Sequence, residues 1–138
     1  IQAVTAVQTT GTAISTTGSW QAVGLEAQIT PRDSNSKFLV LVTGSHYADV
    51  DDQTAGATIF RGSTNLGHAT HGLMPFYINQ GSAGADDMQV GANASVFDSP
   101  GSGSAVTYTV KAYTDKNTYR WNGLRTASAT ITLLEVAG

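Results

Sequence analysis

The stretch that decides the fold is Arg125-Thr-Ala-Ser-Ala-Thr-Ile-Thr-Leu-Leu-Glu-Val-Ala-Gly138. It is rich in threonine and other β-branched residues, which favour strands because they pack well on a pleated surface. It also runs almost to the last residue of the sequence. A chain that finishes in this way usually adds its last strand to a sheet. No catalytic motif occurs in the stretch, so it predicts a β fold and indicates no reaction.

The same strand pattern recurs along the rest of the chain. Runs of Val, Ile, Thr and aromatic residues lie between clusters of Gly, Ser, Asn and Asp, and no window has a helical period of 3.6. Leu25–Ile29 alternates with period two, and Gly62–Asn65 and Asp115–Asn117 resemble turns. We predict strands near residues 3–8, 12–16, 20–29, 37–47, 57–61, 65–70, 73–79, 88–97, 105–114, 117–122 and 126–136. So many short strands predict an all-β, antiparallel two-sheet sandwich or jelly roll.

Composition narrows the classes of protein. A chain of 138 residues fits a single domain spanning residues 1–138. The absence of cysteine excludes a disulfide framework, a thiolate zinc site and a cysteine nucleophile. A net charge of −3 argues against nucleic acid as a partner, because phosphate binding needs a basic face. Neither a membrane-spanning apolar run nor a signal-peptide pattern occurs in the sequence, so we expect no membrane insertion. The chain opens with Ile1 rather than Met, so it is either processed or, as we expect, the C-terminal piece of a longer chain.

One predicted strand is apolar on both of its faces. In Phe38-Leu-Val-Leu-Val42, one set of alternate side chains can fill the core, and Leu39 and Leu41 then need a second cover. Near the end, Leu133 and Leu134 also point in opposite directions. Another subunit is the simplest cover, since apolar burial contributes about 25 cal/mol per Å² to association. A loop of the same chain is the alternative. We therefore take these four leucines as candidates for an oligomer interface.

Five blocks, taken in order, resemble a family of bacteriophage virion domains common in marine and cyanobacterial phages. The family pattern contains "GL…ITP", "SK-[IL]LV", "RG-[ST]", "LDSP" and "R-T-A-S-T-I-T-L-x-E" blocks. In this chain Phe97 stands where leucine is usual, and Ala129 interrupts the usual Ser-Thr-Ile run. The blocks that carry the resemblance are Gly24-Leu-Glu-Ala-Gln-Ile-Thr-Pro31, Ser36-Lys-Phe-Leu-Val-Leu-Val42, Phe60-Arg-Gly-Ser-Thr64, Phe97-Asp-Ser-Pro100 and Arg125–Val136.

This resemblance implies a role outside the cell. Domains of that family typically form the C-terminal end of tail-fibre or other appendage proteins. They are similar in outline to trimeric jelly-roll heads of the tumour-necrosis-factor type. The resemblance therefore implies a homotrimer in the virion of an extracellular phage particle, a structural or host-attachment role, and other virion proteins as partners. The receptor expected is a bacterial surface glycan or protein.

Aromatic and amide side chains in predicted loops are the candidates for receptor binding. Rings stack on sugar faces and amides bond to hydroxyl groups, which is how shallow glycan sites usually work. For Tyr119 and Trp121 the alternative is packing in the core or at an interface, and Trp20 is expected to pack. Neighbouring Phe76, Gln80, Arg120 and Asn122 lie in the same loops. The receptor-binding candidates are His46, Tyr47, Asp49, His68, His71, Tyr77, Asn79 and Trp121.

Metal and catalytic sites are the weaker alternatives. Asp49, Asp51 and Asp52, like Asp86–Asp87 further on, match a solvated acidic loop better than a calcium loop, because EF-hand spacing is missing. A single histidine near a three-fold axis would be tripled into a metal site, but surface histidines are the simpler interpretation. No Gly-x-Ser-x-Gly elbow occurs, and Glu26 and Glu135 are the only glutamates. We therefore predict no enzyme, no resident metal and no cofactor.

Three functions remain open at this point. The first is a phage appendage tip that attaches to the host surface through weak, repeated sites. The second is a capsid decoration or knob protein that binds only the virion. The third is a non-viral, extracellular, trimeric adhesive module. An Asp in place of Leu39 or Leu41 is expected to give a dissociated or misfolded domain, which tests the oligomer on which the first and third depend.

Overall fold

The fold is an antiparallel β-sandwich. A computed structural model describes residues 2–79, 87–116, 119–123 and 127–137, and within them it contains no helix and 62% strand. Two sheets pack face to face around a shared apolar core. No helix in the described ranges has the length and apolarity needed to cross a membrane. The strands are β1 (Ala3–Gln8), β2 (Thr12–Ala13), β3 (Gln21–Ile29), β4 (Lys37–Ala48), β5 (Gln53–Arg61), β6 (Thr64–Asn65), β7 (Met74–Ile78), β8 (Met88–Asp98), β9 (Val106–Thr114), β10 (Arg120–Trp121) and β11 (Ala129–Val136).

Sheet A contains the strand that opened the sequence analysis. β11 lies between β1 and β4, and β8 pairs with the other side of β4 along eleven residues. The short β10 continues the line of β11 against the end of β4, and β2 pairs with β10. All of these pairings are antiparallel. The Thr-rich stretch therefore joins a sheet, as predicted, and β11 has a neighbouring strand on each side.

Sheet B contains β3, β5, β6, β7 and β9. β9 lies between β3 and β5, and β6 and β7 both pair with the far side of β5. A register shift between Ala22 and Glu26 marks a β-bulge in β3, where Gly24 has a φ of 83°. Glycine suits this position because it adopts positive φ without a steric penalty.

The core comes from the inward rows of both sheets. Phe38, Val40 and Val42 alternate with outward neighbours along β4, and their side chains are fully buried. Leu133 is fully buried in the same layer, which places it inside the sandwich and not at an oligomer interface. The prediction for Leu133 was therefore wrong, because of two adjacent leucines only one faces outward, and here that one is Leu134.

An ion pair joins the two sheets near one edge. Arg61 at the end of β5 donates two hydrogen bonds to the Asp98 carboxylate at the end of β8, at 2.8 and 2.9 Å. The Tyr108 hydroxyl on β9 donates to the same carboxylate at 2.7 Å. Burial, with the Asp98 contact, raises the pKa of Tyr108, so this hydroxyl remains a donor. The "DSP" block of the sequence thus ends β8 with a carboxylate that connects both sheets.

Several predicted element bounds differ from the observed ones. The β5–β6 hairpin turns at Gly62 as predicted, but β6 ends at Asn65, and residues 66–72 form turns instead of the strand predicted near 65–70. Gly72, with a φ of 69°, is unsuited to a continuous strand. β5 begins at Gln53, four residues before its predicted start, so residues 53–56, which were predicted to lie between two strands, are part of β5. Part of the predicted strand near 117–122 lies outside the described residues.

Candidate recognition surfaces

The outward side of sheet A is uncharged over several rows. We call it the sheet A face. One row aligns Leu134, Leu39 and Phe97 across three strands, and the next aligns Thr132 and Leu41. Leu39 and Leu41 are half-buried. The side chains of the face are Ala3, Thr5, Val7, Leu39, Leu41, Thr43, Asn93, Ser95, Phe97, Thr130, Thr132 and Leu134. None of these residues is ionisable, and the exposed Lys37, which pairs with Val136, lies on the same side one row beyond Leu39 and Leu134.

Two exposed apolar side chains and a ladder of hydroxyl groups mark this face. Phe97 is 55% exposed at one margin and Val7 is 59% exposed at the other. Between them the hydroxyls of Thr5 and Thr132 lie 3.0 Å apart, and those of Thr43 and Thr130 lie 2.8 Å apart. These cross-strand bonds satisfy the hydroxyls within the sheet. The face is therefore polar in composition and has little unsatisfied hydrogen bonding to offer to water.

The margin formed by β8 is an open strand edge. In the described part of the chain β8 pairs only with β4, so its other side presents unpaired backbone groups. Residues 89–97 carry no charged side chain and no proline. Soluble proteins usually protect long edge strands with lysine, proline or a cover. An uncharged edge therefore borders an uncharged face.

On the outward side of sheet B, in contrast, the apolar part around β5 is covered by the chain itself. Trp20 packs against Phe60 and Tyr113, with ring centroids 6.2 and 5.7 Å apart, and its indole donates to the Ala69 carbonyl at 2.9 Å. Lys111 lies over the Phe60 ring, 4.2 Å from its centroid. Residues 66–72 lie over the middle of β5, where a Cβ on Gly56 would meet the His71 carbonyl at 2.7 Å. This sheet therefore needs no second subunit to cover it.

A groove remains open at the β7 margin of sheet B. It has a volume of about 450 Å³ and is lined by Thr54, Ala55, His71, Pro75, Phe76 and Tyr77, and we call it the Tyr77 groove. Pro75 and Tyr77 face outward on β7, whereas Phe76 points into the core. The walls are mainly apolar. A concave apolar surface with a few polar groups is typical of a small-ligand site.

Tyr77 is held in place although it is 58% exposed. Its hydroxyl donates to Asp52 Oδ1 at 3.0 Å and accepts from Asn79 Nδ2 at 3.0 Å. Asp52 has a φ of 53°, a conformation that aspartate tolerates better than most residues. Tyr77, Asn79 and His71 were predicted as receptor-binding candidates; Tyr77 and His71 line this groove, and Asn79 is bonded to the Tyr77 hydroxyl. Asp52 and Thr54 were not among the candidates, because their approach to β7 is a contact between distant parts of the chain.

His68 and His71 lie in one turn beside the groove. Their rings are stacked, with centroids 5.1 Å apart and planes 11° apart. His68 Nδ1 accepts hydrogen bonds from the backbone amides of Thr70 and His71, both at 3.2 Å, so this nitrogen shapes the turn. The two histidines are thus on the same side, because they do not belong to a strand. Within the described ranges, no group of three or more His, Asp or Glu side chains has the geometry to hold a metal ion.

His46 and Trp121 were predicted as receptor-binding candidates, with packing in the core or at an interface as the alternative for Trp121, and the structure buries both side chains. His46 is 2% exposed and Trp121 is fully buried, on the paired strands β4 and β10. The His46 ring stacks on Phe76 at 5.2 Å, and its Nδ1 lies 2.6 Å from the Tyr119 hydroxyl. Burial lowers the pKa of His46 to about 4, so the ring is neutral at neutral pH. Both residues are parts of the core and do not contact a receptor.

Tyr47 and Asp49 occupy the end of β4. Tyr47 is buried, and its hydroxyl donates to Asp87 Oδ1 at 2.9 Å. Burial, reinforced by the Asp87 carboxylate, raises the pKa of Tyr47 to about 12. Asp49 is exposed just beyond the strand. Of these two candidates only Asp49 is accessible, and it does not line the Tyr77 groove.

Comparison with known proteins adds no family. No protein-family model matches the chain, and no curated protein has a significantly similar sequence.

Proposed function

We propose that this protein is an oligomeric attachment module at the exposed end of a phage virion appendage. The observation that carries the proposal is the contrast between the two sides of the sandwich. The central rows of the sheet A face are uncharged, they carry exposed or half-buried leucine and phenylalanine side chains, and no described segment covers them, which favours self-association. On the opposite side, Trp20 and residues 66–72 cover β5, polar side chains such as Gln28 face water on β3, and the Tyr77 groove stays open to a receptor. The sequence resemblance to virion domains supplies the biological setting.

The strand order supports a jelly roll of the tumour-necrosis-factor type. One sheet has the order β1-β11-β4-β8 and the other β3-β9-β5-β7. Successive long strands mostly change sheet, from β1 to β3, β4 and β5, and then from β7 to β8, β9 and β11. Eight strands that alternate between two sheets in this way make the two Greek keys of a jelly roll. The short β2, β6 and β10 extend these sheets without altering the order.

The placement of Phe97 and β8 supports a cyclic assembly. Phe97 lies where the open edge meets the sheet A face, so it is positioned to contact the leucine row of a second copy. Edge-to-face packing of this kind is heterologous and closes into a ring when the rotation is right. It would cover the unpaired edge and the uncharged face together. We expect three copies per ring, as the resemblance implies.

Self-association through sheet A leaves the groove accessible on every copy. The two surfaces lie on opposite sides of the sandwich, since Tyr77 faces outward on sheet B and Leu39 faces outward on sheet A. Three weak sites on one particle bind a repetitive surface with much higher avidity than one site. This arrangement matches the needs of an attachment tip.

The first experiment measures the native mass by light scattering during size-exclusion chromatography. A trimer of three times 14.3 kDa is the expected result. A monomer at micromolar concentration would contradict the assembly and favour a decoration protein that associates only with a capsid.

The second experiment measures attachment directly. The labelled protein is incubated with a panel of marine and cyanobacterial strains, and bound protein is quantified by flow cytometry. We expect saturable binding to a subset of strains that unlabelled protein competes away. Absence of binding to every strain, together with binding to purified capsids, would replace the attachment role with the decoration role.

A further inference from the structure

We propose that the Tyr77 groove binds one neutral sugar ring of a bacterial surface glycan, stacked on the Tyr77 side chain. The inference rests on the proposed attachment function and names the ligand class of its site. It also assigns roles to the residues around the groove. Tyr77 is the stacking platform, Asp52 and Thr54 face the hydroxyl groups of the sugar, and Pro75 forms an apolar wall.

The platform is organised before any ligand arrives. An exposed tyrosine normally samples several rotamers, and ordering it on binding costs free energy. Here the two hydrogen bonds to the Tyr77 hydroxyl, from Asn79 and to Asp52, already restrict the ring. The side chain is still 58% exposed, since within the described ranges its hydrogen bonds are at the hydroxyl end. A rigid exposed aromatic face suits stacking against the C–H groups of a pyranose.

The groove matches the two-sided character of a sugar. Ala55, Pro75 and Phe76 give an apolar floor and wall, which accommodates the C–H face of the ring. Thr54 lies opposite Tyr77 on the neighbouring strand and brings a hydroxyl to the same outward row. A volume of about 450 Å³ holds one or two sugar rings and leaves the rest of a chain outside. We therefore expect a terminal or branch residue to be recognised.

Charge selects a neutral ring over an acidic one. Asp52 accepts from the Tyr77 hydroxyl and Asp115 accepts from the Thr54 amide at 2.9 Å, so two carboxylates are bonded to residues that line the groove, while the Lys116 ammonium is bonded to the Asp51 carbonyl. None of the residues that line the groove is a lysine or an arginine. A carboxylate accepts strong hydrogen bonds from sugar hydroxyls. It repels the carboxylate of a uronic or sialic acid, so acidic polysaccharides are disfavoured.

The experiment uses the full chain in its native assembly on an array of neutral, amine-bearing and acidic oligosaccharides. The tightest neutral ligand is then titrated by calorimetry against Y77A, Y77F, D52N and the unaltered protein. Q28A is the matched control, because Gln28 is exposed on the outward side of sheet B but on β3, two strands from β5. Circular dichroism checks that each variant is folded.

We expect binding to neutral glycans that Y77A weakens at least about tenfold, equivalent to about 1.4 kcal/mol. Y77F should lose less, because it keeps the ring and loses only the anchoring of the hydroxyl. D52N tests the carboxylate acceptor and should also weaken binding, whereas Q28A should bind normally.

Each other outcome overturns the inference in a distinguishable way. Neutral-glycan binding that Y77A and D52N leave unchanged would place the site elsewhere. Preference for acidic or amine-bearing glycans would overturn the ligand class and leave the attachment function standing. No glycan binding, with intact attachment to cells, would mean a protein receptor. If the unaltered protein binds neither cells nor any glycan, the proposed attachment function is wrong as well.

Discussion

The two outward sides of this sandwich both carry apolar side chains, but they differ in whether the same chain covers them. Sheet B carries apolar groups such as Phe60 on its outward side, and Trp20 and residues 66–72 of the same chain cover them. Sheet A carries Leu39, Leu41 and Leu134 on its outward side, and no described segment lies over them as Trp20 does over sheet B. The difference teaches that an apolar outward row does not by itself indicate an interface. An apolar outward row indicates an interface when no other part of the chain covers it.

The largest expected effect is on assembly. Leu39→Asp or Leu41→Asp places a carboxylate in the proposed interface, where burying an unpaired charge costs several kcal/mol. We expect a soluble monomer with an unchanged circular dichroism spectrum at concentrations where the unaltered protein is trimeric. Light scattering measures the mass. Thr107→Asp, on the outward side of sheet B, is the control and should leave the mass unchanged; an equal effect at both positions would end the contrast between the faces.

The next largest effect is a dependence of the free energy of unfolding on pH, which assembly of the folded protein should not share. His46 is unprotonated when folded down to a pH of about 4 and takes up a proton at about 6.5 when unfolded. The unfolded state therefore binds more protons between these values, and the free energy of unfolding falls by about 3 kcal/mol as pH drops from 6.5 to 4. Above pH 6.5 this contribution is constant.

Denaturant unfolding across that pH range measures the effect. His46→Phe keeps a ring against Phe76 and removes the titration, so the difference in slope between the two proteins isolates His46. The sheet A face carries no ionisable side chain in its central rows, so assembly of the folded protein should depend little on pH over the same range. Parallel slopes for the two proteins would show that the imidazole is not protected from protonation.

A smaller loss of stability is expected when Trp20, which covers part of sheet B, is replaced. Trp20→Ala removes a half-buried ring and its bond to Ala69, and we expect the free energy of unfolding to fall by about 2 kcal/mol, less than the 3–5 kcal/mol of a fully buried aromatic. The oligomeric mass should stay the same. Trp20→Phe is the conservative control and should recover most of the loss. Thermal unfolding measures stability, and a change of mass would mean that sheet B contributes to assembly.

The sequence predicted more of the fold than of the site. Alternation in Leu25–Ile29 was sufficient to place β3, and its buried and exposed residues alternate as expected. The adjacent Leu133 and Leu134 must face opposite sides, but period alone does not say which faces inward. His46 was assigned to a loop because polar residues at a strand end resemble one. Its burial depends on pairing with β10, a contact across more than seventy residues.

Only part of the Tyr77 groove could be predicted, because its other residues come together through pairing between distant strands. Tyr77 and Asn79 are an aromatic and an amide close together in sequence, a local signal that pattern analysis detects. Asp52 reaches Tyr77 because β5 and β7 pair, and no local pattern contains that information. Phe97 was noticed only as a replacement for leucine, and its exposure follows from its place on the outer strand of sheet A.

The central position of β11 has a consequence for how the chain reaches its native state. β1 is the first strand in the chain and β11 the last, yet they are neighbours, with Thr5 bonded to Thr132. In the described fold β1 has no other sheet partner, so sheet A is incomplete until β11 arrives. Loop closure over such a separation is slow, and folding on the millisecond-to-second scale is typical of such topologies. Until β11 docks, the leucines of β4 lack the strand that pairs beside them. We therefore expect folding intermediates to associate incorrectly mainly before this step.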